Sequence, residues 1–103
     1  MAKAEETVSA LLKDYDSANR DKRAYIEMLV SRTLDGMNWA NAYLQSDRKE
    51  QRLFCHPDNL DITGGKMIDM LRRETRRSPE MAALPYGYGI LATNVRVFPC
   101  PNS

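Results

Sequence analysis

Between Arg20 and Leu44 no proline interrupts the chain, and apolar or small residues recur at Tyr25, Leu29, Thr33, Gly36, Met37, Ala40 and Leu44. Steps of four and three mark one face of a helix. About a quarter of the chain is thereby committed to a single long helix, with that stripe as its expected core face. Gly36 costs about 1 kcal/mol against alanine in a helix interior, so a close approach of another backbone is expected there. Trp39 flanks the stripe and Tyr86 and Tyr88 lie in "PYGYG". Aromatics of this kind anchor interfaces, but in so short a domain they are read as core.

The remaining periods are helical as well. "AEETVSALLKD" (4–14) sets Val8, Leu11 and Leu12 at helical spacing, and "DYDSANRD" then breaks the pattern with turn formers. "QSDRKEQR" is a charged connector and the best candidate for a mobile loop. Thr63 is placed to cap a helix through "KMIDMLRRETRR", with Met67, Met70, Leu71 and Glu74 or Thr75 on one side. "SPE" ends it, because the residue before a proline resists the α conformation. In the last segment Leu84, Tyr88, Leu91, Val95 and Phe98 keep the helical period, whereas "VRVF" alone would suit a strand. The longer period is preferred, with the helix ending before Pro99. The expectation is an all-α single domain, residues 1–103, a small bundle of about four helices.

Composition narrows the function classes. The chain has 103 residues, 43% hydrophobic and 28% charged, which is ordinary for one globular domain. A net charge of +1 lacks the basic excess of a dedicated nucleic-acid binder. No apolar run approaches the roughly 18 residues of a membrane span.

"LFCHPDNLDITGG" is the stretch with the most chemistry in it. Cys55 as a nucleophile needs a base within reach, and the single histidine, His56, is its immediate neighbour, whose side chain points elsewhere. Two cysteines and one histidine without CxxC or HxxxH spacing do not make a zinc site, and "DNLD" lacks the alternation of a calcium loop. "ITGGK" lacks the full phosphate-loop pattern and is read as a capped helix start, although such an end holds anions weakly. No catalytic set, metal or cofactor is assigned. The two cysteines lie in "FCHP" and "FPCP", on either side of the last two helices. A Cys55–Cys100 disulfide is favoured, with buried free thiols as the alternative; loop closure over that span stabilises by about 4 kcal/mol. A bridge implies an oxidising compartment. "MAKAEETV" has no apolar signal stretch, so the expectation is a periplasmic protein whose signal peptide has been removed.

"DGMNWANAYL", "FCHP", the threonine-initiated helix "MIDMLRRE", "SPE" and "FPCP", in this order, resemble the Rap/Tai-type immunity proteins of bacterial type VI secretion. The resemblance runs from about Tyr25 to Pro101, and the cysteine-proline pair is its most specific part. It implies a secreted, disulfide-containing helical fold similar to HdeA-type acid chaperones. It also implies a protein partner, a peptidoglycan amidase that the protein binds and blocks, often as a homodimer. Cys55 and Cys100 match the family's bridging cysteines, while a second pair found in some relatives is absent.

For such a role the expected contacts are His56, Asp58 and Asn59 on the Cys55–Asp61 loop, with Arg72, Arg73, Arg76 and Arg77 steering an acidic partner. The plainer account of "RRETRR" is a solvated face with Asp69 paired to Arg73. The alternative function is an HdeA-like binding or chaperone module with no toxin partner. A single histidine and balanced charge suit an acid-triggered chaperone less well than an inhibitor.

Overall fold

The computed structural model describes residues 6–57 and 60–101. The elements are α1 (Val8–Ser17), α2 (Arg20–Ser46), α3 (Gly64–Arg77), a 3-10 segment (Pro79–Ala83) and α4 (Tyr86–Val97). Over the described residues the fold is therefore all-α, a small bundle of four helices. Three helices start at a polar cap: Thr7, Asn19 and Thr63 each accept from a backbone amide three residues on, at 3.1, 2.9 and 3.2 Å. The residues before α1 and α4 also meet, Val8 N donating to Leu84 O and Tyr86 N to Glu6 O.

α2 has 27 residues, about 40 Å at 1.5 Å per residue, and the molecule measures 43 Å along its longest axis. It runs the length of the protein, with α3 and α4 packed against one side. The core joins Ile26, Val30 and Leu34 of α2 to Met67, Ile68 and Leu71 of α3, Ile90 of α4 and Phe54 of the connector. The close backbone approach is at Gly64, where an added Cβ would overlap the carbonyl of Glu27.

Two core faces differ from those the sequence predicts. α2 buries Ile26, Val30, Leu34 and Asn41, with Met37 partly buried, a stripe turned by one residue from the Tyr25–Leu44 series. Asn41 takes part because its amide nitrogen donates to Phe54 O at 2.9 Å and its oxygen accepts from Leu53 N at 2.7 Å. Gly36 has no atom within 4 Å of where its Cβ would be, so the expected close approach is not made inside this chain. Trp39, expected in the core, is 77% exposed. α4 likewise buries Gly89, Ile90, Thr93 and Asn94, while Tyr88 and Val95 face outward.

Cys55 and Cys100 are joined, with Cα atoms 4.9 Å apart and a sequence separation of 45. Cys55 N donates to Phe98 O at 2.8 Å, so the connector is tied to the end of α4 twice over. Among the described residues no helix is long and apolar enough to cross a membrane.

Candidate functional site

The CHP loop is fastened to α4. The His56 ring lies 4.9 Å from that of Phe54 and 4.7 Å, edge-on, from that of Phe98. Asn94, fully buried, spends its amide nitrogen on Ile90 O at 2.8 Å, which leaves its oxygen to face His56 Nε2 at 2.7 Å. His56 therefore donates from Nε2, a tautomer inferred from this network. Its polar capacity on that side is used within the fold. Asp58 and Asn59 lie outside the described residues.

The "ITGGK" segment also serves packing. Thr63 caps the amide of Lys66, and the carboxylate of Glu27 sits 3.7 Å from the Cβ position of Gly65. A carboxylate of the chain itself thus faces the positive end of α3. That carboxylate also accepts from the Tyr15 hydroxyl at 2.6 Å.

The four arginines of α3 part company. Arg72 forks onto Asp16 of α1 with bonds of 2.9 and 2.6 Å. The guanidinium holds the Asp16 carboxyl below its ordinary range, and the carboxylate raises Arg72 in turn. Arg77 lies 3.7 Å from Glu74, whose buried side chain also meets Arg96 at 3.4 Å. Arg73 and Arg76 form no ion pair with any described residue; the expected Asp69–Arg73 pair is not made. Arg73 and Arg77 border a groove of about 450 Å³ that Leu60 and Ile62 also line. The far end of the loop and half of the arginine face thus converge, whereas Arg72 and Arg76 lie outside the groove.

A second surface was not anticipated. Tyr25, Met28, Trp39 and Tyr43 on α2 are 56%, 41%, 77% and 57% exposed. With Gly36 between them they form one stripe, since steps of three, four, seven and eleven return to the same side of a helix. Aromatic side chains bury about 150–250 Å² each, so this stripe offers on the order of 500 Å². Arg32, seven residues from both Tyr25 and Trp39 and exposed, lies on the same side, so the apolar area is divided between the two ends of the stripe. The signal in the sequence was Gly36, a costly residue that lies on this side and has no described atom within 4 Å of its Cβ position.

Among the described residues no three histidine, cysteine or acidic side chains gather as a metal-binding group. No protein-family model, curated protein or solved structure matches this chain.

Proposed function

We propose that this protein is a binding protein of the oxidising periplasm that blocks a peptidoglycan amidase of type VI secretion, using the aromatic face of α2. The observation that carries the binding reading is the outward Tyr25–Met28–Trp39–Tyr43 stripe on a scaffold clamped by the Cys55–Cys100 bridge. The few residues that carry most of the energy of a protein interface are enriched in tryptophan, tyrosine and arginine. A rigid face loses little entropy on docking. A typical interface buries about 800 Å² per partner, so the two apolar ends of the stripe, with Arg32 between them, would provide the centre of one. Choice of the amidase as partner rests on the motif resemblance around "FCHP" and "FPCP"; the bridge is compatible with the compartment where such enzymes act. No described element covers this face, so exposing it needs no acid trigger, which favours a dedicated partner over an HdeA-like chaperone.

The test is a search for an amidase gene beside this one, followed by a binding titration with its product. Trp39→Ala and Tyr43→Ala should each weaken binding by about tenfold or more, within the range of interface anchors, with melting temperature unchanged. An amidase that is not bound at micromolar concentration would end the proposal. Binding of many unfolded proteins instead would replace it with the chaperone role.

A further inference from the structure

We infer that the groove between α3, the end of α4 and Leu60–Ile62 is a binding site for a long-chain carboxylate, independently of the α2 face. Its floor is apolar: Ile62, Met70, Val97 and Phe98 line it, and Val97 and Leu60 are exposed. Its volume, about 450 Å³, lies within the roughly 300–1,000 Å³ of small-molecule sites.

Charge selects the head group. Lys66, Arg73 and Arg77 border the groove, and Arg96 stands against Glu74 beside it. The acids there are Asp69 and Glu74, and Glu74 is already held between Arg77 and Arg96. Among the lining residues that leaves Lys66 and Arg73 against Asp69, with Asp61 placed between Leu60 and Ile62. The lining therefore carries three cations against two acids, on a chain whose net charge is +1. Lys66 is pinned by a 3.0 Å bond from Nζ to Asp61 O, which keeps its ammonium at the loop end of the groove. Arg73 makes no ion pair with any described residue, so its fork is available to a carboxylate. An alkyl chain would cover the floor, and a cationic head would meet the same excess as repulsion.

The experiment is isothermal titration of the whole protein with dodecanoate, kept below its micelle concentration. Dodecyltrimethylammonium, butanoate and an acidic peptide without apolar residues serve as comparisons. Dodecanoate should bind one per chain with a Kd of about 10–100 μM, and each comparison about tenfold or more weakly. Arg73→Glu should cost about tenfold, Arg73→Lys clearly less, and Trp39→Ala nothing. The inference fails if dodecanoate gives no heat, if the cationic amphiphile binds as well, or if the peptide does. It also fails if Arg73→Glu binds like wild type while folded, or if Trp39→Ala abolishes binding.

Discussion

The carbonyl of Glu27 occupies the space that a Cβ on Gly64 would need, so α3 begins in contact with the main chain of α2. Backbone cannot swing aside as a flexible side chain can. Gly64→Ala should therefore cost about 1–3 kcal/mol, the range for overpacking. Gly36→Ala should do the opposite, gaining about 0.5–1 kcal/mol, because an exposed helix interior with open space prefers alanine. Urea denaturation of the two variants measures both signs. Equal stability of Gly64→Ala and wild type would mean that the helices do not meet there.

The Cys55–Cys100 bridge closes a loop that contains α3 and α4. Replacing both cysteines by serine should lower stability by about 4 kcal/mol in the loop-entropy account. The Cys55 N to Phe98 O bond would remain and hold the chain ends near each other in the weakened fold. Peptide mapping without reductant should give one cross-linked peptide. Two thiols open to alkylation in protein from an oxidising compartment would contradict the bridge.

The existence and order of the helices, the Thr63 cap and the cysteine pairing were legible because each rests on local period or on a unique partner. Helix faces were harder to read. Asn41 on α2, and Thr93 and Asn94 on α4, are buried polar residues. An apolar stripe search steps around such residues, so it settles on a neighbouring series. Asn41 is buried because it satisfies the backbone of Leu53 and Phe54, a contact between distant segments that no local pattern encodes. Arg72 is parallel: its partner Asp16 comes from α1, whereas the sequence offered only neighbours along its own helix.

Two contacts set opposite pH limits. Arg72 holds Asp16 below its ordinary value of 3.8, so this contribution is present above that value and is lost as pH falls through the lower folded one. The hydrogen bond to Glu27, followed by burial, raises Tyr15 above 10.0. That contribution is present below 10.0 and is lost as pH rises through the higher folded value. Stability measured from pH 2 to 11 should show a smaller acid loss in Asp16→Asn and a smaller alkaline loss in Tyr15→Phe. Both effects should be modest, because Asp16 is exposed and Tyr15 half-buried. Unchanged slopes in both variants would remove these pairs from the account.

Trp39 is the only tryptophan of the chain and, among the described residues, the most exposed large apolar side chain. Labelled as 5-fluorotryptophan, it gives a single ¹⁹F resonance that reports on the centre of the α2 face. Titration with an amidase found encoded beside this gene should shift or broaden that resonance in step with loss of enzyme activity, saturating at a fixed ratio. An amidase that is inhibited while the Trp39 resonance stays unchanged, or one that is neither bound nor inhibited at micromolar concentration, would contradict the account.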